Sequence, residues 1–344
     1  MKEITTIGLD IAKTVFQVHG ISAGGEVVVG RRLRRSEILT FFSKLQPCLI
    51  GMEACPTAHH WARVLTELGH NARLMPPAYV KPYVKRQKND MTDAEAICEA
   101  VRRPTMRFVP VKSVEQQSIL SLHRTRDLLI RQRTSLINAL RAHLAEYGIA
   151  AAQGAAGRSF LAALVEDEDL DLIPPLVRTA LLPLVDHIRA LEQSACELEA
   201  AIKAWHRSNA TSQRLATVPG IGPITASALA ATIADPSLFR SGRHMAAWLG
   251  LVPRQSSSGG KQRLGRISKQ GDPYLRRLLV VGATAVLRFA KTDGSASSAL
   301  LTWAARLKAR KPYKVVALSL ANKLARIAWA IMVSGETFSA QPAR

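Results

Sequence analysis

The chain opens on short apolar runs with the alternation of strands. Residues 4–10 (ITTIGLD) are mostly apolar, residues 15–19 (VFQVH) alternate, and residues 27–29 are three valines. The pattern predicts three strands, the first two joined by a hairpin over residues 11–14. A helix is expected over 36–45 with Ser36 as its cap, then a buried strand over 48–54 (CLIGMEA). A helix over 57–68 and a strand over 72–75 follow, ended by Pro76 and Pro77. Strands in a run, then strands alternating with helices, imply a mixed α/β domain with one modest sheet. Its last helix is expected to start near Thr92, where Thr92 and Glu95 have capping-box spacing.

From residue 114 to 147 the period changes. Proline and glycine are absent, and Leu122, Leu129, Leu136, Leu140 and Leu144 recur at helical spacing. This predicts one long amphipathic helix of coiled-coil character. A low-complexity turn covers 148–157, and Pro174-Pro175 precedes a second long helix over 176–206. The two helices either lie antiparallel or reach across to a second subunit; the pattern does not choose. From residue 211 onward the chain reads as helical and basic, with a glycine-serine loop over 256–260 and no strand. The domain boundaries expected are 1–112, 113–208 and 209–344.

Charge changes the picture. Lysine and arginine number 47 against 26 acids, a formal net charge of +21 in 344 residues. Such an excess repels itself and does not help folding, so it points to a polyanionic partner, with nucleic acid ahead of membrane or acidic protein. Cys48, Cys55, Cys98 and Cys196 have no CxxC spacing and no histidine partners, which argues against disulfides and a zinc site. No signal peptide is read at the N-terminus, and apolar stretches such as 278–287 are too short to span a bilayer. A soluble protein of a reducing cytoplasm is expected.

Three features carry candidate chemistry. Asp10 and Glu53 end two strands, while Asp90 and Asp93 flank the expected helix start, three residues apart. Carboxylates brought to one point would bind magnesium, which prefers oxygen ligands and shares its shell with substrate phosphates. Taken singly, each acid reads first as a turn or capping residue, and only together do the four suggest a site. Val218-Pro219-Gly220-Ile221-Gly222-Pro223 reads as a helix-hairpin-helix turn, in which Gly220 and Gly222 let backbone N–H groups meet phosphate at a helix start. The plainer reading is a helical turn punctuated by proline and glycine. The loop around Ser256, Ser257 and Ser258 is flanked by Arg254, Lys261, Arg263, Arg266, Lys269, Arg276 and Arg277. By composition it is a loop beside a phosphate-binding surface; as chemistry, it offers a serine nucleophile whose base is not identifiable from spacing. His59, His60, His123 and His143 lack ligand spacing and read as surface or core residues.

Several blocks together resemble a known family. Gly8-Leu9-Asp10-Ile11-Ala12-Lys13, Gly51-Met52-Glu53-Ala54 and Asn89-Asp90-Met91-Thr92-Asp93-Ala94 are similar to the acidic blocks of DEDD-type transposases. The turn at 218–223, Ala247-Trp248-Leu249-Gly250-Leu251-Val252-Pro253, Ser257-Ser258-Gly259-Gly260-Lys261 and Ser268-Lys269-Gln270-Gly271-Asp272 resemble the C-terminal transposase domain of the insertion-sequence-110 family. The Ser-Ser-Gly-Gly-Lys form is similar to its insertion-sequence-1111 subgroup.

The resemblance implies an N-terminal ribonuclease-H-like domain of the Holliday-junction-resolvase type, a helical coiled-coil connector and a mainly α C-terminal domain with a helix-hairpin-helix. It implies that Asp10, Glu53, Asp90 and Asp93 hold Mg2+, with Mn2+ as a substitute. It makes Ser258 the nucleophile, with Ser257 the neighbouring candidate. It also implies a structured non-coding guide (bridge) RNA that pairs with donor and target DNA, and homodimers that join into tetramers in which subunits share active sites. The residues by themselves leave two rivals: a metal-dependent structure-selective nuclease working with the acids alone, and a non-catalytic nucleic-acid-binding protein.

Overall fold

A computed structural model describes residues 3–85, 89–289 and 299–339. The chain divides into two compact units, Met1–Ser113 and Val114–Arg344.

The first unit is built on one mixed five-stranded sheet. Its elements in order are β1 (Thr6–Ile11), β2 (Val15–Ile21), β3 (Val27–Arg34), α1 (Ile38–Phe42), β4 (Leu49–Glu53), α2 (Ala58–Glu67), β5 (Asn71–Met75), α3 (Pro77–Val80) and α4 (Asp90–Val101). The strand order is β3-β2-β1-β4-β5; β1, β2 and β3 meander antiparallel, and β4 and β5 run parallel to β1. Side chains alternate between the two faces of a strand. The odd positions of β1, Ile7 and Leu9, therefore join Phe16, Val18, Ile50, Met52 and the helix residues Phe42, Trp61 and Leu65 in one buried core. The even positions face α4.

Two glycines set how closely α4 lies on that second face. A Cβ on Gly8 would fall 2.8 Å from Cys98 Cβ and closer still to the Ala94 carbonyl; one on Gly51 would fall 2.7 Å from Val101 Cβ. Both residues sit side by side in the parallel β1–β4 register. The helix thus rests on bare backbone.

The sheet departs from the expected pattern in two places. β3 runs on to Arg34, past the expected three valines, as an edge strand of which only Leu33 is fully buried. Its arginines give no apolar period, yet they suit an edge that must stay unpaired. The start of α4 is also corrected. Asn89, not Thr92, caps it: the Asn89 side chain accepts from Thr92 N at 2.9 Å, and Thr92 Oγ1 accepts from Asn89 N at 3.2 Å. Asp90 and Asp93 consequently both lie inside the first turn.

The second unit is largely helical. It comprises α5 (Val114–Ala145), α6 (Ala155–Glu166), α7 (Pro175–Ser208), α8 (Ala210–Ala216), α9 (Pro223–Thr232), α10 (Gly242–Trp248), β6 (Pro253–Gln255), β7 (Leu264–Ile267), α11 (Pro273–Phe289), α12 (Ala299–Lys308) and α13 (Tyr313–Ser334). α5 and α7 lie antiparallel within one chain. Trp205 Nε1 donates to Glu115, Arg126 pairs with Glu199, and Arg133 pairs with Glu192 at 3.7 Å, so one sequence rises as the other falls. The stretch read as a turn over 148–157 gives way at Ala155 to α6. That helix closes a small core of Leu140, Leu144, Leu161, Val165, Val185 and Ile188 at the far end of the pair.

Two further expectations are corrected here. The C-terminal part does contain strands: β6 and β7 form an antiparallel ribbon. And one helix, α13, is long and apolar enough by composition to cross a membrane. It is the centre of the C-terminal core, where Val316, Leu320, Leu324 and Ala328 pack against α10 and α11, which explains its composition without a bilayer.

Candidate active site

The four acids share one region of the first unit. In β1, Asp10 follows Gly8 by two residues and points to the same face; Glu53 bears the same relation to Gly51. The β1–β4 register ends with Leu9 opposite Met52, so Asp10 and Glu53 are next along adjacent parallel strands. Helix α4 runs back across this face, with Cys98 Sγ reaching the Thr6 carbonyl at the strand start. Two strand residues advance about 6.6 Å, which four to five helical residues match at about 1.5 Å each. Counting back from the Ala94–Cys98 contact with Gly8 brings the first turn of α4, with Asp90 and Asp93, level with Asp10.

Two neighbours of the acids come from the same sheet row. Asp10 pairs in register with Gln17, and Gln17 with Arg32. Gln17 is buried, and Arg32 reaches Asp90 with an N–O distance of 3.6 Å across an exposed edge. One row along, burial lowers the pKa of His19, with Glu95 opposing and Lys85 assisting. Among the described residues, no three His, Cys, Asp or Glu side chains lie close enough together to hold a metal ion. The acids share a face but are not drawn into one shell, and Asp90 is turned toward Arg32. The donor set itself, carboxylate oxygen throughout, suits a hard divalent cation.

In the second unit the expected hairpin turn joins α8 to α9, and its two glycines differ. Gly220 has φ +91°, and a Cβ there would meet Val286 at 2.8 Å and the Gly282 carbonyl at 3.0 Å. It is the contact between the turn and α11. Gly222 caps α9 in extended conformation, is exposed, and has open space around it. Gly220 is thus a packing contact of the turn, while Gly222 is the more open of the two.

The serine loop is the tip of the β6–β7 ribbon. Ser258 and Lys261 form an isolated bridge around Gly259 and Gly260, whose φ values of 55° and 76° fit a type I′ turn. Ser257 is a framework residue: its Oγ accepts from Arg263 N and from Gln255 Nε2, each at 3.1 Å. Ser258 is exposed, and its Oγ makes no hydrogen bond among the described residues. Arg254, Lys261, Arg263, Arg266 and Lys269 are exposed on and beside the ribbon. The other two expected cations are engaged within the fold. Arg276 donates to the carbonyls of Leu249 (3.0 Å) and Gln270 (2.7 Å), and Arg277 pairs with Asp127 over the Tyr274 ring.

One polar cluster gave no spacing signal. His123 of α5 is fully buried, with Nδ1 2.9 Å from Tyr274 Oη of α11 and Nε2 3.1 Å from Ser227 Oγ of α9. Ser227 Oγ in turn donates to the Pro223 carbonyl at 2.7 Å. Burial, aided by Arg126, pushes the His123 pKa down to about 4, so the ring is neutral. It ties the long helix, the hairpin and the helix after the ribbon to one point.

Residues 7–149 match a DEDD transposase domain, and residues 212–297 match the family described as "Transposase IS116/IS110/IS902 family". A "Probable family 20 transposase" of Pseudomonas aeruginosa is 51% identical over 330 residues, covering 96% of this chain and 97% of that one. The chain belongs to the IS116/IS110/IS902 family of transposases. The transposase is also similar to the transposase for insertion sequence element IS1328 of Yersinia enterocolitica (41% identity; 98% of this chain, 100% of that one). With that for IS1111A of Coxiella burnetii it shares 40% identity over 98% of this chain and 92% of the other. The family makes it a DNA-binding enzyme that cleaves and rejoins strands, and its DEDD domain implies dependence on a divalent metal.

Proposed function

We propose that the transposase moves its insertion sequence through a covalent serine–DNA link, with Ser258 as nucleophile, Mg2+ (or Mn2+) held by Asp10, Glu53, Asp90 and Asp93, and a structured guide RNA choosing the DNA. The observation that carries the reading is the ribbon tip, where Ser258 is exposed and its Oγ makes no hydrogen bond among the described residues, while Ser257 Oγ supports the backbone. In the forward step the Ser258 oxygen bonds to phosphorus as a deoxyribose oxygen leaves, and the hydroxyl proton ends on that leaving oxygen. Rejoining is the reverse, with a different deoxyribose hydroxyl attacking the serine phosphodiester. One phosphodiester is exchanged for another, so no external energy source is required. Arg254, Lys261, Arg263, Arg266 and Lys269 hold the phosphates and stabilise the charge that grows on phosphorus. Gly222 and the start of α9 supply a sequence-blind backbone contact of helix-hairpin-helix type.

A bound divalent ion would supply Lewis-acid stabilisation of the reacting phosphate. Asp10 and Glu53 would hold it from the sheet and Asp93 and Asp90 from the helix start, which for Asp90 would require giving up its contact with Arg32. The ribonuclease-H-like assignment of the first unit, the coiled-coil connector over 113–208, assembly from dimers to tetramers with shared sites, and a place in the bacterial cytoplasm belong to the same proposal. The net charge of +21 supports RNA as well as DNA binding.

The test uses the purified full chain with RNA transcribed from the element's flanks, Mg2+ and labelled target DNA. A denaturation-resistant protein–DNA adduct is expected for wild type and Ser257→Thr, and none for Ser258→Ala or Asp10→Asn. Cleavage without any adduct, unchanged in Ser258→Ala, would leave the acids alone as the catalyst. Equal adduct yield without the RNA would remove the guide from the reading.

A further inference from the structure

Beside the ribbon, the second unit holds an open groove of about 1290 Å³ between α10, α12, α13 and the inner side of β7. Five cations line it: Arg243, Arg266, Lys269, Lys323 and Arg326. Among the described residues, none that lines it is acidic. Such a gathering of like charges is unfavourable by itself and favours an anionic partner. Lys323 shows the effect: its ammonium lies 4.3 Å from the Trp303 ring centroid, and burial and Arg326 both lower its pKa. The floor differs from a plain phosphate site. Trp303, Val315, Leu318 and Ile327 face the space, and Val315 stays 47% exposed.

Cations and apolar side chains lining the same groove select its ligand. Duplex DNA presents phosphates but keeps its base faces stacked inside, so it would leave the floor uncovered. A single strand presents both at once, with phosphates for the cations and base faces for the floor. The groove also adjoins the ribbon, since Pro253, Gly265, Arg266 and Ile267 line it. From Pro253 the strand and loop reach Ser258 within five residues, at most about 17 Å along the chain.

We propose that this groove binds single-stranded DNA, bases toward Trp303, Leu318 and Ile327 and phosphates on Arg243, Lys323 and Arg326. It holds the strand freed from its complement next to the serine. The choice of DNA over RNA rests on the proposed serine chemistry beside the groove; the single-strand preference does not.

The experiment measures binding alone, using the full chain carrying Ser258→Ala in EDTA, so that no strand is cut. Fluorescence anisotropy compares a labelled oligothymidylate of about a dozen nucleotides with a duplex and an oligouridylate of the same length. Arg243→Ala combined with Arg326→Ala, both at exposed positions, should weaken oligothymidylate binding about tenfold and leave duplex binding within about twofold. In a second readout, oligonucleotides bearing 5-iodouracil should photocrosslink to Trp303, and Trp303→Phe should reduce the yield. Equal losses for single strand and duplex would make the groove a backbone site and overturn the proposal. Tighter binding of oligouridylate would overturn it in favour of RNA, and no loss at all would show the groove unused. A preserved single-strand preference together with wild-type adduct formation by Ser258→Ala protein in Mg2+ would refute the nucleophile and leave the groove standing.

Discussion

Gly8→Ala tests whether the sheet-to-helix contact positions the acids. The added methyl would collide with the Ala94 carbonyl and the Cys98 backbone nitrogen, atoms a helix cannot rotate away. To restore ordinary van der Waals separation the Ala94 carbonyl must retreat by about 1.4 Å, taking the first turn of α4 with it. Overpacking of this kind costs about 1–3 kcal/mol. A misplacement of about 1 Å between catalytic groups lowers rate on the order of 10²-fold. The internal control is Gly30→Ala, in the same sheet row through His19, where an added Cβ meets nothing within 4 Å. Hydrogen exchange at the β1 and α4 amides, with adduct formation measured in parallel, separates the two variants. Gly8→Ala should lose protection equivalent to about 2–3 kcal/mol and on the order of 10²-fold in adduct rate, while Gly30→Ala stays within about 0.5 kcal/mol and near wild-type rate. If Gly8→Ala matches Gly30→Ala in both measurements, the close approach of α4 does not set the site.

Three further outcomes follow from named contacts. Because His123 has a pKa of about 4 in the fold against 6.5 when free, its contribution is complete above pH 6.5 and is lost as pH falls toward 4. That loss amounts to about 3 kcal/mol, should appear in urea titrations across this window, and should flatten in His123→Gln. Arg276→Ala, which removes donors from two backbone carbonyls, should lower thermal stability by about 1–3 kcal/mol, whereas exposed Arg266→Ala should leave stability alone and reduce the salt slope of DNA binding by up to about 0.9. Arg32→Ala frees Asp90 from an exposed ion pair and should tighten Mn2+ binding up to about fivefold by calorimetry, while weaker binding would make Arg32 a support of the site.

What the sequence disclosed depended on whether a residue's role leaves a periodic trace. β1, β2, β4 and β5 were legible because each has at least one buried face, and buried faces produce alternation or apolar runs. The ribbon was not, since β6 is exposed throughout and β7 nearly so, leaving no apolar period to read. The start of α4 was misplaced by three residues because Thr92-to-Glu95 spacing imitates a cap, while Asn89 and Thr92 perform it. Asp10 and Glu53 were found as strand ends; their common face follows from β1–β4 register, which no single segment encodes. His123 was passed over because Ser227 and Tyr274, its partners, are 104 and 151 residues away. The groove escaped for the same reason: Arg243, Arg266 and Arg326 converge from three separate segments. Ser257 and Ser258 were indistinguishable in composition and are separated by the hydrogen bonds of one.

The ribbon has a thermodynamic consequence. Among the described residues its base is anchored by Ser268 N to the Val252 carbonyl (2.8 Å) and Lys269 N to the Gly250 carbonyl (3.2 Å), while residues 253–266 are exposed. A two-stranded hairpin without a covering layer is marginal in water, so little intrinsic stability holds the tip in order. A ligand that takes only the ordered form has its affinity reduced in proportion to the fraction of chains ordered. On the proposed reading of Ser258, a nucleophile on such a tip would take its reacting geometry chiefly from bound DNA. Cross-linking the ribbon into permanent order is expected to tighten DNA binding by the reciprocal of the ordered fraction.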